Sequence, residues 1–180
     1  KRVAIPNMAR GCPFTCSFCS QWKFWRDYRI RNPKKVVDEI EDAVKRFAVT
    51  NVDFYDLTAI LKREWILSFC AELARRKVTI TWQLPSGTRS EALDGEVLAA
   101  LHRSGCRNIT YAPESGSERM LRLIKKKVTP ERMLASMRSA RELGIAIKAN
   151  LMIGFPDETR ADVWQTVKFG LRSAWAGVDD

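Results

Sequence analysis

Short runs of strand-forming residues alternate with amphipathic helical stretches five times along this 180-residue chain, and that alternation restricts the fold more than any other feature. Strands separated by a helix cannot pair as tight hairpins. Each needs a crossover, and right-handed crossovers lay successive strands parallel in one sheet. Val3-Ala4-Ile5 is the first run. Asn32 as N-cap and Pro33 at the first helical position then open a helix with Val36, Val37, Ile40, Val44 and Phe47 on its apolar face. Val52 to Leu57 reads as the second strand, followed by Trp65, Ile66, Phe69, Cys70 and Leu73 at helical spacing. The third unit is a strand from Val78 to Leu84, a break at Pro85-Ser86-Gly87, and a helix carrying Val97, Leu98 and Leu101 that Gly105 ends. Asn108 to Ala112 is the fourth strand. Ser115 and Glu118 have capping-box spacing ahead of Met120, Leu121, Leu123 and Ile124, and Thr129-Pro130 starts a helix with Met133, Leu134, Met137 and Ala140 inward. Ile145 to Ile153 is the fifth strand, and Thr159 caps a helix with Val163, Val167 and Leu171. The expected architecture is α/β: a partial, TIM-like (β/α) barrel of parallel strands forming one domain over residues 1–180.

Cys12, Cys16 and Cys19 follow the first strand, four and three residues apart, in a stretch whose Gly, Pro, Thr and Ser favour a tight loop. Thiols so placed read as a metal site. Structural zinc sites normally take four ligands, whereas three thiolates on one loop hold three irons of a four-iron cluster and leave the fourth iron open. The competing reading is a zinc knuckle completed by Cys70 or Cys106. Five cysteines, three of them clustered, with no secretory segment ahead of them, point to reduced thiols and a cytoplasmic location. No apolar run approaches the ~18 residues of a membrane span. The chain starts inside a strand with neither leader nor cap, which raises the expectation of a longer parent protein.

A formal charge of +10 suits nucleic acid, an anionic surface or an acidic cofactor. Arg75-Arg76-Lys77 and Lys125-Lys126-Lys127, however, each finish a helix, where cations complement the dipole and are solvated. Between Gln21 and Arg31 aromatics interleave with cations; such a stretch either stacks on bases or folds over the cysteine loop and excludes water, and the second is the preferred reading.

The spacing Cys-x-x-x-Cys-x-aromatic-Cys, with Phe18 as the aromatic, resembles the cluster motif of the radical S-adenosylmethionine enzymes. Tyr111 to Ser117 and Met152 to Thr159 resemble the fourth- and fifth-strand motifs of the branch that includes anaerobic magnesium-protoporphyrin monomethyl ester cyclase and other cobalamin-linked enzymes. The resemblance implies about five of the six strands of that core, the sixth beginning near Gly177 to Asp180. It implies a [4Fe-4S] cluster on Cys12, Cys16 and Cys19 and reductive cleavage of S-adenosylmethionine to a 5′-deoxyadenosyl radical that acts on an unidentified organic substrate. Cobalamin in the parent protein and an electron donor such as flavodoxin or ferredoxin follow from the same likeness. Position by position, Glu114 would meet the ribose or the amino acid portion of S-adenosylmethionine, the backbone at Ile153 and Gly154 would pack on adenine, and Phe18 would lie near it. The family's Gly-Gly-Glu signature is absent, Tyr55-Asp56-Leu57 standing in its place, and Lys127 stands where the branch often has Gly.

In parallel barrels the site gathers at the carboxyl ends of the strands. Asp56, Arg89 and Glu114 fall there, although each also has a structural role open to it: Asp56 as a helix cap, Arg89 as a partner of Glu91, Glu114 at a helix dipole. Two further readings remain at this stage, a transfer-RNA methylthiotransferase of the same superfamily and a non-enzymatic zinc-bound nucleic-acid module. The expected partners are a small-molecule substrate and no specific nucleic acid.

Overall fold

The computed structural model describes residues 1–25, 27–56, 58–89 and 93–179, the side chain of Trp22 excepted. Expectations that involve Trp22 as a ring, Arg26, Leu57, Glu91 or Asp180 lie outside the described residues. Five strands, β1 (Val3–Ala4), β4 (Asn51–Asp53), β5 (Thr81–Thr88), β6 (Cys106–Glu114) and β7 (Ala146–Leu151), form one sheet in the order β1-β4-β5-β6-β7, every pair parallel. This is the expected α/β partial barrel. Its crossovers are α2 (Pro33–Phe47), α3 (Arg63–Arg75), α4 (Gly95–Arg103) and the pair α5 (Glu118–Leu123) and α6 (Pro130–Glu142); α7 (Arg160–Trp175) follows β7. Between β1 and α2 the chain adds an antiparallel pair, β2 (Ala9–Arg10) with β3 (Arg29–Ile30), and one turn of helix, α1 (Gln21–Phe24). No helix among the described residues is long and apolar enough to cross a membrane.

Local chemistry explains most element ends. Asn32 Oδ1 accepts the Lys34 N–H at 2.9 Å, and Pro33 at the first helical position removes a donor that would otherwise go unpaired. Inside the sheet-helix layer, Phe54, Phe69 and Trp82 meet edge to face at centroid separations of 5.7 to 5.8 Å, and Trp65 stacks on Phe69. Cys70 and Cys106 belong to this core.

Several local expectations are corrected. Pro85-Ser86-Gly87 does not break the third strand: β5 runs through it to Thr88, which pairs with Tyr111. The ladder slips between Leu84 and Thr88, which suits a proline without an N–H, and Gly87 takes φ +85° there. The second strand ends at Asp53 and the fifth at Leu151, both earlier than composition suggested. Phe47 is exposed, with the Arg46 guanidinium 5.2 Å from its ring centroid in place of a core neighbour. Ser117, not Ser115, caps α5, accepting from the Met120 N–H.

The largest correction concerns α7. Thr159 and Asp162 form its capping box as expected, yet the buried face is Asp162, Thr166, Phe169 and Ser173, while Val167 and Leu171 are exposed. The reason is the polar neighbour it packs on. Ser115 Oγ lies 2.9 Å from Thr166 Oγ1, Ser117 Oγ donates to Asp162 Oδ1 at 2.5 Å, and Arg119 pairs with the same carboxylate. Hydropathy alone would have turned the helix round.

This packing requires Gly116, where a Cβ would stand 2.5 Å from both the Gln165 carbonyl oxygen and Phe169 Cβ. Gly116→Ala is expected to cost about 1–3 kcal/mol in urea unfolding as α7 is pushed off β6. Gly95→Ala, in the first turn of α4 with open space around it, should be neutral or stabilising by about 0.5 kcal/mol.

Candidate cluster and cofactor site

The three cysteines occupy the loop between β2 and α1, at the carboxyl end of the sheet. Cys16 is buried, and Cys12 and Cys19 are half-buried. The loop is tied down from two directions. From the α5 side, the Ile124 carbonyl accepts the Ser17 N–H at 3.0 Å and Cys16 Sγ lies 3.9 Å from the Lys125 carbonyl oxygen. From the β4 side, Thr58 Oγ1 donates to Cys12 Sγ at 3.2 Å. Burial pushes the Cys16 thiol above its ordinary range, and the nearby charges of Lys126 and Arg89 oppose that shift.

Cys70 and Cys106 cannot complete this set. Cys70 lies on α3 and accepts a hydrogen bond from Ser104 Oγ at 3.3 Å; burial raises its thiol to about 11. Cys106 opens β6 at the amino end of the sheet, fully buried, and burial raises its thiol strongly. At about 3.3 Å per residue, the length of β6 puts it roughly 25 Å from the end that carries the loop.

Glu114, Arg89, Phe18, Ile153 and Gly154 come together around the cysteine loop. Glu114 ends β6, buried, with φ +66°, and its carbonyl accepts the Met152 N–H at 2.7 Å, which ties the ends of β6 and β7. Its Oε1 lies 2.9 Å from Lys126 Nζ in a buried ion pair. Lys126 was missed: within Lys125-Lys126-Lys127 it read as a solvated helix end, but only Lys125 and Lys127 are exposed. Lys125 takes φ +55°, and the Lys126 N–H reaches back to the Leu121 carbonyl at 2.8 Å, a turn that sends the Lys126 side chain inward. Arg89 is buried, its guanidinium 3.7 Å from the Phe14 ring centroid and donating to the Lys127 carbonyl. Phe18 packs on Phe155 at 5.6 Å between centroids, and Met152, Ile153 and Gly154 form an exposed backbone beside them.

Asp56 supports the loop from outside this group. Its Oδ1 accepts the Ala9 N–H at 2.5 Å at the start of β2, and burial raises its carboxyl against the backbone donors that favour ionisation. Of the described rings in the Gln21 to Arg31 stretch, Phe24 and Trp25 are exposed, in α1 and just after it, whereas Tyr28 turns toward the loop, within electrostatic reach of Cys12. Tyr28 is half-buried, its phenol donating to the Thr58 carbonyl at 3.4 Å.

The donor set fits a multi-iron cluster and a polar cofactor. Three thiols on one loop supply the ligand type and number that such a cluster takes, one thiolate for each of three irons. Cys16 lies within electrostatic reach of both other thiols. Two buried polar atoms without partners, Asp56 Oδ2 and Thr88 Oγ1, stand at neighbouring strand ends.

A parallel β/α sheet with a three-thiol loop at its carboxyl end is the core of a radical S-adenosylmethionine protein. The Radical SAM superfamily model matches residues 7–170, and the chain belongs to that family. It is 39% identical over 168 residues to the anaerobic magnesium-protoporphyrin IX monomethyl ester cyclase of Rubrivivax gelatinosus, covering 93% of this chain and 30% of that protein. Among solved structures it is similar to the radical S-adenosylmethionine methyltransferase TsrM from Kitasatospora setae with tryptophan and an S-adenosylmethionine analog bound. That match has a TM-score of 0.85 at 20% identity over 96% of this chain and 34% of that one. The same enzyme with cobalamin and a [4Fe-4S] cluster matches at TM-score 0.81 and 18% identity, over 96% and 35%. The chain thus spans about a third of the length of the proteins it matches.

Removing one member of a buried ion pair strands the other. Lys126→Met is expected to destabilise the protein by about 3–5 kcal/mol, and adding Glu114→Gln should recover part of that loss. Denaturant unfolding of the two single variants and the double variant gives the coupling directly.

Proposed function

We propose that this chain is the catalytic core of a radical S-adenosylmethionine enzyme acting on a small organic substrate, which it methylates, cyclises or rearranges. The observation that carries the reading is the three-thiol loop held between Thr58 and the Ile124-Lys125 carbonyls, beside a buried carboxylate at the end of β6. Cys12, Cys16 and Cys19 would hold a [4Fe-4S] cluster with one iron left open. When bound, that cluster supplies an electron for cleaving S-adenosylmethionine into methionine and a 5′-deoxyadenosyl radical. The chain's own residues bind and orient. Glu114, kept in place by Lys126, accepts hydrogen bonds from the ribose hydroxyls or the methionyl ammonium. The exposed backbone at Ile153 and Gly154 offers a flat seat for adenine, with Phe18 beside it. Arg89 brings a buried cation to the rim, and Asp56 holds the backbone that leads into the loop.

The name of the TsrM structure with cobalamin bound supports a cobalamin-linked parent protein, and the cluster chemistry asks for a one-electron donor such as flavodoxin or ferredoxin. The transfer-RNA methylthiotransferase reading keeps one likeness, to a putative methylthiotransferase of Methanocaldococcus jannaschii, 25% identical over 167 residues. Some of the cations are held within the fold, Arg76 by Asp38, Glu41 and Glu72, Arg63 by Asp94 and Glu96, and Arg172 by Glu131, although such pairing leaves the net charge of +10 as it is. A zinc-bound nucleic-acid module lacks support in both fold and family.

Anaerobic reconstitution of the protein carrying this chain should give about four irons per chain. Cys12→Ala, Cys16→Ala or Cys19→Ala should each abolish the cluster and the release of 5′-deoxyadenosine under reduction, while joint Cys70→Ala and Cys106→Ala should spare both. In cluster-loaded protein, Glu114→Ala should weaken S-adenosylmethionine binding by about one to two orders of magnitude. Zinc in place of iron, or unaltered affinity in Glu114→Ala, would refute the respective assignment.

A further inference from the structure

We infer that Thr58 is a positioning residue that tunes the cluster through its hydrogen bond to Cys12, an inference that rests on the cluster reading above. Thr58 is 4% exposed, and its Oγ1 donates to Cys12 Sγ at 3.2 Å. The hydroxyl does not wander. The Thr58 carbonyl accepts the Tyr28 phenol at 3.4 Å, and two residues earlier Asp56 accepts the Ala9 N–H, so the segment after β4 grips β2 and the residue just ahead of β3, the pair that frames the cysteine loop. The neighbouring Ala59 and Ile60 are buried in the core, which keeps bulk water from replacing the hydroxyl.

The three ligands are unequal in consequence. Cys12 faces a hydroxyl donor, whereas Cys16 Sγ faces the Lys125 carbonyl, which accepts from the thiol and offers a thiolate no donor. Two backbone donors of the loop go elsewhere, Ser17 N–H to the Ile124 carbonyl and Cys19 N–H to the Cys16 carbonyl. When a low-potential one-electron reductant adds an electron to the cluster, negative charge on its sulfurs rises and no bond to Thr58 changes. An O–H donor therefore stabilises the reduced state more than the oxidised one and raises the midpoint potential.

The test is an EPR-monitored redox titration of the reconstituted holoprotein as wild type, Thr58→Val and Thr58→Ser, with iron content and melting temperature measured on the same samples. Valine keeps the shape and removes the donor; serine keeps the donor. At a fixed potential near the midpoint the reduced-to-oxidised ratio should fall about three- to tenfold in Thr58→Val, about 30 to 60 mV downward for one electron, with Thr58→Ser close to wild type. An unchanged ratio in iron-loaded Thr58→Val overturns the inference, as does an equal drop in both variants. Loss of iron in Thr58→Val with its melting temperature retained also overturns it, since Thr58 would then build the site rather than tune it. A wild-type protein that takes up no iron-sulfur cluster defeats the reading of the site itself, and that outcome is seen before any variant is compared.

Discussion

The buried ion pair between Lys126 and Glu114 joins the two halves of the site. Glu114 ends β6, and Lys126 follows α5, whose last carbonyls anchor the cysteine loop. Removing two charges from water costs several kcal/mol per ion, and their attraction offsets that only with good geometry. At 2.9 Å the geometry is good, and the pair gains conformational definition: α5 cannot drift without exposing an unpaired charge. The cluster loop, through the Ser17 N–H, inherits that placement. Arg89 adds a second tie, since the carbonyl it donates to belongs to Lys127, next in the chain.

Two of the five non-glycine residues with positive φ among the described residues lie at the same place, the others being Ala48, Lys77 and Asp157. Glu114 and Lys125 both take left-handed φ values that L-residues adopt at a cost of about 1–2 kcal/mol each. The twist at Glu114 ends the strand and turns the carboxylate toward Lys126. At Lys125 the same conformation closes α5 and sends the next side chain inward. Glycine would relieve the strain at either position, but at residue 114 it would delete the carboxylate. Stability here is subordinate to the arrangement of the site.

The core below is conventional by contrast. Aromatic rings between β4, β5 and α3 pack edge to face, apolar helix faces cover the sheet, and the two remaining cysteines are packing residues with thiols pushed up by burial. Buried polar groups gather at the carboxyl ends of the strands and at the α7 interface, where Ser115, Ser117, Asp162 and Thr166 pair among themselves, with Ser136 on Tyr111 and Glu72 under Arg75 and Arg76 lying elsewhere. Those four groups are satisfied, which keeps the cost of a polar buried face low, while Ser173 Oγ on the same face has no partner.

What the chain alone determined was whatever depends on neighbours a few residues apart. The alternation that makes the sheet parallel, the Asn32 and Thr159 caps, the apolar face of α3 and the spacing of Cys12, Cys16 and Cys19 were all legible, because helical period, capping and loop chemistry are local. The burial of Lys126, the inward face of α7, the strand running through Pro85 and the hydrogen bond from Thr58 to Cys12 were decided only by the tertiary structure. In each case the deciding partner is distant in sequence or is a ladder slip that composition does not encode: Thr58 meets Cys12 across 46 positions, and Asp162 meets Ser117 across 45. A hydropathy pattern assumes that whatever covers a helix is apolar, and a run of lysines assumes water beyond it. Both assumptions fail where the fold brings a fixed opposite charge or a paired hydroxyl to the same spot, since a satisfied polar group is as content in the interior as an apolar one.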